Sequence, residues 1–400
     1  MKKIIFPLVI CALILASCGT KKAQLTPGVW RAVLLTSDST EIPFNFELKI
    51  SPSDTTIEII TGESRYEVKD IKMAGDSLFI EMPLFSSRFA LGFTKEGLSG
   101  NFVRTSYTMP VTAVPNTGWR FTEKPQTPSF SAAGRWLVKL GENEIIGEFA
   151  EANGKVTGSF LTPSGDYRFF EGLVTSENKL MLSCFDGGFI RLFTADMVSN
   201  DSLSNIKMYS GFKSLEEGRA VRKEDAQLPD AYAITGMKKG YKTLGFSFPN
   251  LDGKAVSLKD EKFANKVVVV QISGSWCPNC LDESKFLAGV YEKYKPSLEI
   301  VCLAFERPEG FDAARAEAMK LVSVAKIPYE VLISGFTPSK IKEALPELEN
   351  FRAFPTTIII DKKGNVRKIH SGFSGPGTGV HYTNFVKEFD TFVEELIAEK

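Results

Sequence analysis

The run Val267-Val268-Val269-Val270-Gln271-Ile272 leads almost directly into Trp276-Cys277-Pro278-Asn279-Cys280, and few folds accept that succession. A nearly unbroken β-branched run predicts a central strand covered on both faces. Pro278 suits the first position of a helix, where a missing N–H costs nothing. The two cysteines are therefore expected at the start of a helix that follows a buried strand. A helix N-terminus offers unpaired N–H groups and the positive end of the helix dipole, and both stabilise a thiolate. Cys277, nearest that end, is the expected attacking cysteine. Cys280, nearly one turn on, can attack a mixed disulfide on Cys277 and close a disulfide with it. The competing reading of such a pair is half of a metal site. No second pair with zinc spacing exists and the chain has only two histidines, His370 and His381, so no metal is expected.

The rest of the C-terminal part alternates between the two periodicities. Leu287, Val290, Tyr291 and Tyr294 form one stripe on the helix after Cys277. Strands are predicted over 298–305, 329–333, 356–360 and 366–370, and helices over 312–325, 338–348 and 384–399. Upstream, Asp252-Gly253 marks a short hairpin. Strands alternating with helices give an α/β domain over 240–400, a central mixed sheet flanked by helices.

A second motif lies far downstream: Phe354-Pro355-Thr356-Thr357 before an apolar strand that ends in Asp361 and a turn through Gly364. Together the two motifs resemble the TlpA-like, thioredoxin-superfamily oxidoreductases of bacterial envelopes, over about residues 240–400. The resemblance implies a thioredoxin-like fold, dithiol–disulfide exchange through a Cys277–Cys280 disulfide, and no cofactor. It implies that Pro355 is cis and faces Cys277, so that the backbone beside Phe354 and Thr356 can pair with an extended substrate. Trp276 would shield the site or pack in the core. Where thioredoxin itself carries a buried aspartate, this chain has Gln271. Glu283 matches a glutamate common in the family; it either helps deprotonate Cys280 or simply favours the helix dipole. The loop from Gly372 to Gly379 also resembles a family segment, and no chemical role is assigned to it. Cys184 and Cys302 read as core thiols.

Residues 28–222 carry a different pattern: short alternating strands broken by Gly, Asn, Asp and Ser turns. This all-β region is expected to be two duplicated antiparallel modules, 28–122 and 134–222, joined by a Pro-containing linker. Gly28-Val29-Trp30 repeats as Gly134-Arg135-Trp136 at an offset of 106 residues, and Asp76-Ser77-Leu78 as Asn178-Lys179-Leu180 at an offset of 102. Chance similarity among hairpins is the other reading. Both tryptophans are expected in cores.

The N-terminus reads as a targeting segment. Lys2 and Lys3 precede a short apolar stretch, and Leu15-Ala16-Ser17-Cys18 resembles the bacterial lipobox. Residues 1–17 are then a lipoprotein signal peptide, Cys18 is the acylated residue, and 18–27 is a tether. An ordinary signal peptide is the alternative. The lipid-anchored reading places the protein in the bacterial cell envelope, on the inner or outer membrane and facing the periplasm, where disulfides persist. Lys plus Arg equals Asp plus Glu at 48 each, an overall balance that gives no hint of a nucleic-acid partner and leaves local patches open. The family resemblance implies protein thiols and disulfides of the envelope and an electron donor as partners, with reduction of substrates favoured over oxidation. Two rival readings stay open: a scaffold or binding lipoprotein whose β-modules carry the main role, and a peroxidase on the same fold.

Overall fold

The structure is a computed structural model that describes residues 25–52 and 54–400. The expected signal peptide and Cys18 lie outside the described residues.

In the C-terminal part the apolar run becomes β1, Val267–Ser273, with all seven residues buried. It is followed by α1, Pro278–Tyr294; β2, Leu298–Ala304; α2, Phe311–Ala325; and β3, Glu330–Ile333. The chain then forms the short α3, Ile341–Ala344; β4, Thr356–Ile360; β5, Val366–Ser371; and α4, Val380–Ala398. The sheet order is β3-β2-β1-β4-β5. β1 and β3 lie parallel to β2, while β4 runs antiparallel to β1 and to β5. Alternate residues of β1 serve opposite faces. Val267 and Val269 pack with Leu281, Leu287 and Val290 of α1 and with Phe389 and Val393 of α4. Val268, Val270 and Ile272 pack with Ile341, Leu345 and the upstream residues Phe246 and Phe248. That two-sided cover explains why the strand has no polar alternation. The helix expected over 338–348 is only a 3-10 turn followed by one α-helical turn. Pro346 disfavours helical geometry at Leu345, so the helix cannot continue.

The N-terminal region is all β among the described residues. Nine strands from Gly28–Leu35 to Thr108–Pro115 form one antiparallel sheet, and nine from Gly134–Leu140 to Ser214–Arg222 form another. In each, the first strand pairs with the last as well as with the second. In the second sheet Asn143–Ala152 also pairs with Lys155–Thr162, which completes a closed circuit of strands. Trp30 and Trp136 are fully buried on the first strands, and each indole N–H donates to the carbonyl four residues earlier, Thr26 and Ala132 respectively.

The two sheets are not beads on a string. Phe185, from the second, stacks on Phe44 of the first at 4.1 Å between centroids and lies 5.4 Å from Phe102. The buried Arg120 donates to Asn45 Oδ1, to the Ser183 carbonyl and to the Ile60 carbonyl, so it ties both sheets together. Burial lowers its pKa from the usual arginine value, with the Glu171 carboxylate pulling the other way.

Candidate active site

The turn between β1 and α1 is built for close approach. A Cβ on Gly274 would sit 2.3 Å from Trp276 Nε1 and 2.9 Å from the Phe305 carbonyl, so only glycine fits. The backbone N–H and hydroxyl of Ser275 both donate to the buried Glu306 carboxylate, at 2.9 and 2.7 Å. Trp276 Nε1 donates to the Phe305 carbonyl at 2.9 Å. These bonds hold the chain so that Cys277 becomes the N-cap of α1, with Pro278 at the first helical position. The Cys280 N–H then points at Cys277 Sγ, 3.2 Å away. The two sulfurs are bonded, with Cα atoms 5.2 Å apart. Cys277 is 6% exposed and Cys280 fully buried, so an approaching molecule meets Cys277 first.

The downstream motif arrives opposite. The Phe354–Pro355 bond is cis, and the Phe354 carbonyl oxygen lies 3.5 Å from Cys277 Sγ. Thr356 is buried, with its hydroxyl donating to the Ala353 carbonyl. Trp276 meets the Phe354 ring edge-on at 5.1 Å, and the Arg307 guanidinium covers the Trp276 ring at 4.8 Å. Trp276 thus forms one wall of the site.

Glu283 is 1% exposed and points into the sheet. Its carboxylate accepts from Gln271 Nε2 at 2.9 Å and from the Thr357 hydroxyl at 2.7 Å. Burial pushes its carboxyl up to about 7, against the opposing pull of those two donors. Gln271, in the place where thioredoxin has its buried acid, also bonds Ser284 and Tyr329. The buried acid near this site therefore comes from the helix rather than the strand. Cys302 and Cys184 are both buried thiols, pushed up by burial.

The raised carboxyl has a stability consequence with a definite sign. The folded chain holds the Glu283 proton to higher pH than the unfolded chain does, so this group's stabilisation is complete below about pH 4.5 and is lost as pH rises through about 7. The difference corresponds to on the order of 3 kcal/mol. Glu283→Gln should flatten that decline, read as denaturant midpoints across pH 4 to 8 (~1-unit steps). Asp166, also pushed up to about 7, adds the same slope to both proteins, so the difference between them isolates Glu283.

Reading by sequence missed what covers the other side of the cysteines. Asn279 is buried, and its Nδ2 donates to the Asp166 carbonyl at 3.0 Å and the Phe373 carbonyl at 3.3 Å. The Gly372 to Gly379 loop, given no role from sequence, docks against residues 164–166 of the second β-sheet. A Cβ on Gly372 would lie 2.6 Å from the Ser164 backbone carbon. His370 packs between Tyr232 and Phe385, and His381 bonds Glu148 at 2.7 Å, so neither histidine lies among the residues around the cysteines.

The Redoxin family profile matches residues 234–382. Thioredoxin-like protein YneN of Bacillus subtilis is 26% identical over 137 residues, which is 34% of this chain and 74% of the relative. Thiol-disulfide oxidoreductase ResA of Bacillus thuringiensis is 29% identical over 132 residues, 32% of this chain and 68% of the relative. Among solved structures, the thiol:disulfide interchange protein DsbE described as putative from Chlorobium tepidum superposes with a TM-score of 0.30 at 22% identity, covering 38% of this chain and 98% of that one. With the cysteine turn, the facing proline segment and the family match in view, the C-terminal part is a thioredoxin-like thiol–disulfide oxidoreductase domain, joined to a large all-β region.

Proposed function

We propose that this chain is a lipid-anchored oxidoreductase of the bacterial cell envelope that reduces disulfides of partner proteins through Cys277 and Cys280. The observation that carries the reading is Cys277 at the N-cap of α1, slightly exposed, with Cys280 sealed beneath it and the Phe354 carbonyl beside its sulfur. In the dithiol form the Cys277 thiolate attacks one sulfur of a substrate disulfide and expels the other as a thiolate. The resulting mixed disulfide is then attacked by Cys280, which bonds to Cys277 and releases the substrate's second sulfur. Two electrons pass from the enzyme dithiol to the substrate, which leaves with two thiols once protonated. A separate envelope electron donor restores the dithiol. Glu283, one turn after Cys280, takes the Cys280 proton, a role that a carboxyl poised near neutral pH suits. Trp276, Phe354, Pro355 and Thr356 shape the substrate groove, and Pro278 keeps the helix start rigid.

Around this centre, residues 1–17 act as the signal peptide, Cys18 as the acylated anchor and 18–27 as the tether. The β-region is read as a duplication of one module, 28–122 and 134–222, ahead of the redox domain at 240–400. Nine strands in each half, with first paired to last, support that reading. The paired indole bonds of Trp30 and Trp136 support it as well.

The reading is tested by trapping. Cys280→Ser in the full chain should accumulate a covalent adduct with a disulfide-containing partner, visible as a heavier band that reductant removes. Turnover should fall by about a hundredfold or more, because the mixed disulfide lacks its resolving thiol. Absence of any adduct on Cys277 would overturn the proposal.

A further inference from the structure

The second β-sheet does not merely adjoin the redox domain; it grips the two residues between the cysteines. Gly165 approaches so closely that a Cβ there would lie 2.3 Å from Asn279 Nδ2 and 2.8 Å from the Phe373 carbonyl. A Cβ on Gly188 would lie 2.6 Å from Pro278 Cγ. Beside them Arg168 is held at φ +63°, in the left-handed region that a non-glycine residue enters only when its surroundings compel it. The Asp166 carboxylate braces this turn, accepting from the Arg168 N–H at 2.7 Å and from the Gly375 N–H at 2.6 Å. The Arg168 side chain is 7% exposed and projects at the start of α1. Its Nη1 donates to the Pro278 carbonyl at 3.1 Å and pairs with Asp282 Oδ2 at 2.7 Å, while Nε pairs with Asp186 at 2.9 Å.

Asp282 bears on the charge at the redox pair. It sits on α1 five residues after Cys277, where a carboxylate opposes the build-up of negative charge on the Cys277 sulfur. Burial strengthens that opposition, because little water screens it. Arg168 neutralises Asp282 and adds a hydrogen bond to the residue next to Cys277. A cation near a thiolate favours the dithiol over the disulfide, and an uncompensated anion favours the disulfide.

We propose that Arg168, supplied by the second β-sheet, is a positioning residue for the Cys277/Cys280 pair, and that by pinning the Pro278 carbonyl and neutralising Asp282 it sets the balance between dithiol and disulfide. The β-region is then part of the redox centre. This inference rests on the exchange chemistry proposed above.

The test uses the full chain equilibrated with reduced and oxidised glutathione, with the fraction of Cys277/Cys280 in each state read by thiol alkylation. Arg168→Met should move the equilibrium about tenfold toward the disulfide, equivalent to about 30 mV more reducing. Asp282→Asn, nearly isosteric, should move it severalfold the other way. Arg168→Lys, which keeps the charge, should stay within about threefold of the unaltered chain. A purely structural role for Arg168 would lower the melting temperature of Arg168→Met without this paired, opposite response. If Arg168→Met fails to fold, Asp282→Asn decides alone. An equilibrium unchanged within twofold in Asp282→Asn overturns the role of Arg168. If the unaltered chain itself shows no two-electron transition at Cys277/Cys280, it is the exchange reading that fails, and this inference with it.

Discussion

Cys277→Ser is expected to abolish disulfide exchange, with the rate of insulin reduction by the full chain falling by at least about a thousandfold. The size follows from the chemistry of the nucleophile. A thiol near the ordinary value of about 8.5 already supplies some thiolate at neutral pH, and a helix N-terminus increases the share. A serine hydroxyl in the same place supplies almost no alkoxide, and sulfur–oxygen exchange gives no stable mixed intermediate. Cys280 cannot take over, since it is fully buried beneath Cys277. Among the described residues the other thiols, Cys184 and Cys302, are sealed in strands and pushed well above the ordinary cysteine value by burial. Exchange that survives in Cys277→Ser would show that the reacting sulfur has been misassigned.

Phe185→Ala is expected to destabilise the β-region by roughly 3–5 kcal/mol, the range for removing a fully buried aromatic side chain. Phe185 belongs by chain order to the second sheet, yet its ring is surrounded by Phe44, Phe89 and Phe102 of the first. Its loss therefore opens a cavity in the neighbour's core. Two autonomous modules would give two unfolding transitions, with only one of them shifted. A shared core predicts one transition that moves as a whole, which calorimetry or a denaturant titration followed by tryptophan emission reads directly. Variants that keep only Trp30 or only Trp136 of the four tryptophans report on the two sheets separately. A shift confined to one tryptophan would contradict the coupling.

The parts of this protein legible in its sequence are those fixed by short-range rules. The β-branched run before Trp276 announces a strand buried on both faces, and Pro278 announces the helix start that positions Cys277. The apolar strand after Thr356 is equally plain. Helix length after Pro338 is harder to read, because one proline, Pro346, two residues past the helical turn Ile341–Ala344, outweighs a good periodic pattern. The contacts around Asn279 were invisible for a different reason. Asp166 and Arg168 lie more than a hundred residues upstream of it, in a two-residue strand and the turn that follows, where local composition says only that the chain turns. Nothing in Gly165 or Gly372 announces that each lies against another segment's backbone. Phe185 reads as one more apolar residue in an alternating strand until the neighbouring sheet is placed around it.

Each β-sheet joins its first strand to its last, and this has a consequence for the order of events during synthesis. Neither sheet can finish until its final strand has emerged, so both depend on distant pairings that form slowly. The segment bearing Cys277 is made after both. By the time it appears, Cys184 can already be locked inside the strand Lys179–Phe185, out of reach of a wandering sulfur. The late-made cysteines then meet a finished surface that contains Arg168.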